Sequence, residues 1–180
     1  MFIIQYIIIC RNRRYRPQKY SDAEWKMWWA QYNTGVTHYC DYEEVRADLF
    51  TAPLDYSLGH CVSQDLKMSR CIAKIFRQKY GGLEELRAQH VAPGGVGVLK
   101  REGRLLFYMV TKKHFWGKPT YITIFLALRR VREYANLYGV NKVAFPRIAC
   151  GLDRKNWGVI SKIIKFVFQD TEIAIKIYVM

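Results

Sequence analysis

The sequence predicts an α/β protein built on a mixed sheet, and three observations carry the prediction. From Tyr42 onward short apolar runs alternate with segments of helical periodicity, the pattern of strands joined by covering helices. The clearest helical segment lies between Pro119 and Gly139, with a core stripe of Ile124, Leu128, Val131, Ala135 and Tyr138 spaced four, three, four and three apart. A length of 180 residues accommodates one ordinary domain and an extension, since single domains run about 100–200 residues.

The chain opens with the apolar run Met1 to Ile9, followed at once by Arg11, Arg13, Arg14 and Arg16. A bilayer span needs about 20 residues. A secretory signal would place its basic residues first and end in small residues. Neither stable membrane insertion nor secretion is expected; the run reads as an added strand or an unreliable start of the chain, or else as a weak membrane-surface or basic targeting segment. Ser21 and Glu24 form a capping box ahead of Trp25, Trp28, Trp29 and Tyr32, which would share one face of a short helix. That face packs on the domain or offers a platform for bases. Residues 1–41 are read as an extension and 42–180 as the folded domain.

Within the domain, strands are expected near 42–46, 57–62, 95–100, 104–111, 142–146 and 172–179. Helices are expected from Pro119 toward Gly139 and over 67–80 and 156–169. Proline is harmless in a first turn and glycine stops a helix readily. Gly81 and Gly82 end the 67–80 helix, and Arg129, Arg130 and Arg132 lie off the core stripe as a solvated face.

An apolar fraction of 51% excludes a disordered chain. The formal charge of +14 is uneven: residues 1–47 carry seven basic and five acidic side chains, the rest 22 and ten. The excess belongs to the domain and calls for anionic partners, with RNA or DNA contact through the basic surface among them. Five scattered cysteines without C-x-x-C spacing argue against disulfides and a zinc ribbon, so a reducing compartment, nuclear or cytoplasmic, is expected. His38 and Cys40 would be half of a metal site, but no second pair follows. No cofactor, no metal and a monomeric state are expected.

Two stretches could carry chemistry. A buried strand at Lys142–Pro146 runs into the loop Arg147, Ile148, Ala149, Cys150, Gly151, Leu152 and Asp153 ahead of a helix near Asn156. Such a loop gathers backbone N–H groups and a helix dipole where α/β sheets bind anions. Asp153 is equally a helix N-cap and a catalytic acid or base on geometry alone. In Val110-Thr111-Lys112-Lys113-His114 a strand ends in two lysines, of which only one can face a given pocket. A lysine whose neutral form is accessible is a nucleophile. Cys150 with His60 would be a cysteine enzyme's pair, but nothing in the spacing places them together.

From residue 45 to the C-terminus the sequence resembles the macro domains of terminal ADP-ribose protein glycohydrolases, also described as O-acyl-ADP-ribose deacylases. The resemblance runs collinearly through ADLF (47–50), SLGHCVSQD (57–65), KMSRCIAKIFRQKYGG (67–82), VLKREGR (98–104), TKKHFWGKPTY (111–121) and PRIACGLDR (146–154). It implies a three-layer α/β/α macro fold with a central mixed sheet and a cleft for ADP-ribose. It also implies that Lys112 attacks the anomeric carbon of the distal ribose and that Asp153 serves as acid or base. Asp48 and Leu49 would lie toward adenine, with Ser63, the loop Arg147 to Leu152 and Met180 also binding substrate. ADP-ribose and ADP-ribosylated proteins are the implied partners. In one departure, Ser69-Arg70-Cys71 precedes Ile72-Ala73 where the family usually has glycine just before the isoleucine-alanine pair. Cys71 then adds a Cβ and sulfur to the cleft loop, and Arg70 could contact a phosphate.

Overall fold

The computed structural model describes residues 40–180 together with Ala30. The expected N-terminal strand, the Ser21–Glu24 box, its aromatic helix and His38 lie outside the described residues.

The elements follow in the order β1 (Tyr42–Val45), a 3-10 turn (Leu49–Thr51), β2 (Ser57–Ser63), α1 (Cys71–Tyr80), α2 (Leu83–Ala88), β3 (Val96–Arg101), β4 (Arg104–Lys112), α3 (Tyr121–Leu137), β5 (Lys142–Pro146), α4 (Trp157–Phe168) and β6 (Ala174–Tyr178). All six expected strands are present, each boundary within two residues of its expected position. They form one sheet in the order β1-β6-β5-β2-β4-β3, parallel throughout except for the antiparallel β3–β4 hairpin. The sheet is mixed, and both faces are covered.

Period-two alternation along the strands sends Phe107 and Met109 into one core layer and Leu106, Tyr108 and Val110 into the other. The first layer receives Ile124, Leu128, Val131 and Ala135 of α3 and Ile160, Ile164 and Val167 of α4. Phe76, Tyr80 and Leu86 of α1 and α2 fill the second. The result is the three-layer α/β/α arrangement. Gly59 is required at its centre, because a Cβ there would sit 2.4 Å from Phe145 of the neighbouring β5.

Three details depart from the sequence reading. Helix α3 begins after Pro119: Thr120 is its N-cap and exchanges hydrogen bonds with Thr123 in a capping box, so proline precedes the cap instead of occupying the first turn. Arg129, Arg130 and Arg132 are half-buried, and Arg132 donates to the Val167 carbonyl of α4 at 2.8 Å; that face is not simply solvated. Helix α1 begins at Cys71 instead of near residue 67, because Leu66 and Met68 have φ values of +48° and +42° and bury as apolar plugs in the second core.

Candidate active site

Five parallel strands point the same way, so their carboxyl ends form one rim. The residues singled out from sequence fall along it: Asp48 after β1, Met180 after β6, the 147–153 loop after β5, Ser63 ending β2 and Lys112 ending β4. With strands about 4.8 Å apart, the row from β1 to β4 is about 19 Å wide.

At the β4 end, Lys112 Nζ donates to Asp153 Oδ1 at 2.6 Å, and both side chains are 14% exposed. Forty-one residues separate them in sequence; the β5–α4 loop closes the gap. Asp153 is free for this contact because Asn156 caps α4, its side chain accepting from the Val159 amide at 3.2 Å. The N-cap of α4 is therefore Asn156 and not Asp153. Turns hold the loop, with the Lys155 amide donating to Ala149 O at 2.9 Å and the Arg154 amide to Gly151 O at 3.2 Å. Ala149 and Arg154 adopt φ of +58° and +51°, and a Cβ on Gly151 would meet open space.

The remaining residues divide by what their side chains do. Ile148 and Leu49 are core residues at 2% exposure, so neither presents its side chain to a ligand. Asp48 caps the 3-10 turn, accepting from the Phe50 amide at 3.0 Å. Leu152 and Met180 are exposed, whereas Cys150 is half-buried. Arg147 donates to Glu44 Oε2 at 3.0 Å and lies 5.4 Å from the Trp157 ring. Its guanidinium therefore anchors the loop to β1. Glu44 also accepts from Tyr42 Oη at 2.6 Å and Trp157 Nε1 at 3.0 Å. Burial acts to raise its pKa, but these hydrogen bonds and the Arg147 charge outweigh it and hold the carboxyl below its usual range.

Sequence reasoning missed Asp65. Its Oδ1 accepts from Ser63 Oγ at 2.5 Å and from the Lys67 amide at 3.3 Å, while Oδ2 accepts from the Phe115 amide at 2.9 Å. The signal was present as a short acidic residue two positions ahead of Lys67, the spacing of an Asx turn. The Phe115 partner, 50 residues away, could not be read from spacing.

The cysteine alternative fails on geometry. His60 is fully buried in the α1/α2 layer, stacked on Phe76 at 3.9 Å. Cys150 packs against the opposite layer, and burial raises its thiol. Burial first, then the Asp153 charge, also pushes Cys61 up to about 12, so it is a thiol at neutral pH. Among the described residues no group of three His, Cys, Asp or Glu side chains converges as metal ligands. A cavity of about 330 Å³ opens on the α1/α2 side, lined by Gln64, Leu66, Leu86 and Tyr108 among others, and neither Lys112 nor Asp153 lines it.

No family model matches the chain. It is 43% identical over 136 residues to the ADP-ribose glycohydrolase OARD1 of Bos taurus, a match covering 76% of this chain and 90% of that protein. In structure it is similar to the macrodomain of Thermus aquaticus DarG, with a TM-score of 0.68 and 19% identity over 77% of this chain and 96% of that one. It is also similar to Thermosipho africanus DarTG in complex with ADP-ribose, with a TM-score of 0.66 and 18% identity over 76% of this chain and 41% of that one.

Proposed function

The chain belongs to the ADP-ribose glycohydrolases built on the macro fold and is a hydrolase; from that premise we propose that it releases terminal ADP-ribose from acidic side chains, and deacylates O-acyl-ADP-ribose, through a covalent adduct on Lys112. The observation that carries this reading is the 2.6 Å contact between Lys112 and Asp153 at the rim of the sheet.

The rim supports an extended ligand. Its width suits a dinucleotide lying across the strand ends, with adenine toward Asp48 and the distal ribose at Lys112. The diphosphate lies over the 147–152 loop, whose amides and helix dipole favour an anion. Asp153 accepts a proton from Lys112 Nζ across their contact, which frees the amine lone pair. The amine attacks the anomeric carbon: the Nζ–C bond forms, the C–O bond to the acyl group breaks, and the departing carboxyl group takes the electron pair together with the proton that Asp153 holds, which returns Asp153 to its carboxylate. Asp153 then takes a proton from water as that water attacks the same carbon. The Nζ–C bond breaks, the amine regains a proton, and ADP-ribose departs with a hydroxyl where the acyl group stood. The same pair acts on an acyl group carried by the anomeric oxygen.

The test is release of ADP-ribose from a glutamate-modified protein. Removing a positioned acid–base group costs about 10²–10⁴-fold. Lys112→Ala and Asp153→Asn should each lose at least about 10²-fold in kcat while still binding ADP-ribose. Full activity in Lys112→Ala would sink the mechanism.

A second reading concerns what carries the ADP-ribose. Trp116 is 69% exposed and stacks on His114 at 4.6 Å with 2° between planes, and Lys67 Nζ sits 3.7 Å from the Phe115 ring. With exposed Lys113 and Lys118 beside them, these residues favour nucleic acid as a partner, since stacking rings among cations suit single strands.

A further inference from the structure

The loops on either side of the Lys112 strand end separate just where the chemistry begins. Strands β2 and β4 pair in register from Leu58 with Leu106 to Val62 with Val110, and then a bulge shifts the register so that Ser63 faces Lys112. One ladder bond continues beyond it, from the Gln64 amide to Lys112 O at 2.9 Å. Past that point the backbones diverge. Asp65 spans the gap with one carboxylate. Oδ1 gathers its own loop through Ser63 Oγ and the Lys67 amide, and Oδ2 reaches the other loop through the Phe115 amide.

Resting on the proposed function, we infer that Asp65 is a positioning residue for the reaction, a side-chain clamp that replaces the missing rungs of the β2–β4 ladder and thereby aims Lys112. Its hydrogen bonds go to Ser63, Lys67 and Phe115, so it acts on Lys112 through backbone. Three residues beyond Lys112, the Phe115 amide is the first fixed point on the far side of the lysine, and the turn that follows closes from the Gly117 amide to His114 O at 2.9 Å. Stacking of Lys67 on Phe115 adds a second tie between the same loops. The clamp also sets the polarity of Ser63. An ionised carboxylate only accepts, and a serine hydroxyl has one proton. That proton is committed to Asp65, so Ser63 Oγ can only accept from a bound ligand. It suits a ribose hydroxyl in preference to a phosphate oxygen.

Asp65→Asn keeps the shape of the side chain but places a donor NH₂ where two acceptor oxygens met three donors. A displacement of about 1 Å at a reacting group can cost on the order of 10²-fold in rate. The variant should therefore lose about tenfold or more in kcat for ADP-ribose release, a larger factor than any loss of ADP-ribose affinity read by calorimetry. Amide exchange at Phe115 should quicken at the same time. Should Asp65→Asn not fold, Asp65→Glu shifts the carboxylate by one methylene and carries the same expectation. Unchanged kcat would overturn the inference. So would parallel loss of kcat and affinity in step with a lowered melting temperature, the mark of a contact that serves only the fold. Inactivity of the unaltered protein would instead overturn the proposed function, a distinguishable result.

Discussion

Cys71 opens helix α1 with φ at +49°, the left-handed region that costs a residue with a Cβ about 1–2 kcal/mol. The resemblance marked this position as one where glycine is usual, and the backbone still has the glycine conformation. Glycine would relieve the strain at an unfolded-state entropy cost of about 0.5–1 kcal/mol. Cys71→Gly should thus be neutral or stabilising by up to about 1 kcal/mol in urea denaturation, and Cys71→Val, β-branched, should destabilise. His60 supplies a pH signature. Burial pushes its pKa down to about 3, and both ring nitrogens lie without a hydrogen-bond partner among the described residues. An unfolded histidine titrates near 6.5, so below that pH the unfolded chain takes up a proton that the folded chain refuses. Stability falls as pH drops from about 6.5 toward 3, by about 2 kcal/mol at pH 5 relative to pH 7.5. The same denaturation series in His60→Phe should lose that slope between pH 6.5 and 5, a window above the lowered Asp65 and Glu44.

At the scale of elements, apolar period and turn residues located all six strands, because a strand buried on both faces leaves a short unbroken apolar run such as Val143 to Phe145. The 17 residues of α3 display enough turns for their stripe to be unmistakable. Helix α2 escaped notice because six residues hold less than two turns, too few for a period to show. The start of α1 was misjudged because positive φ values at Leu66 and Met68 leave no mark on periodicity. Within the site, Lys112 and Asp153 were legible through the resemblance. The inward or outward aim of each neighbour was not: Arg147 turns to Glu44 on β1, a solvent-exposed carboxylate that also accepts from Tyr42 and Trp157, and spacing does not show a partner 103 residues away. That tie yields a prediction. Glu44→Ala frees Arg147 and Trp157 together, so the 147–152 loop should loosen and ADP-ribose affinity should fall about tenfold by calorimetry, the loss of roughly one charge-assisted hydrogen bond. Unaltered affinity would show that the loop holds its shape without β1.

Over the whole molecule, the excess of basic over acidic side chains resides in residues 48–180, far more than one diphosphate can neutralise. The proposed nucleic-acid contact predicts that single-stranded RNA binds with an affinity that drops steeply with salt. It also predicts that Trp116→Ala weakens that binding by about 1–3 kcal/mol. Binding indifferent to both would leave the charge unconnected to nucleic acid. The proposed mechanism rests on a single act at one place, the transfer of a ribosyl carbon to Lys112 and on to water. Intact-mass analysis after incubation with ADP-ribose, followed by peptide mapping, tests that act directly. A single ADP-ribosyl adduct located on Lys112 and absent from Lys112→Ala is the predicted result; an adduct on another residue, or undiminished hydrolysis by Lys112→Ala, would contradict it.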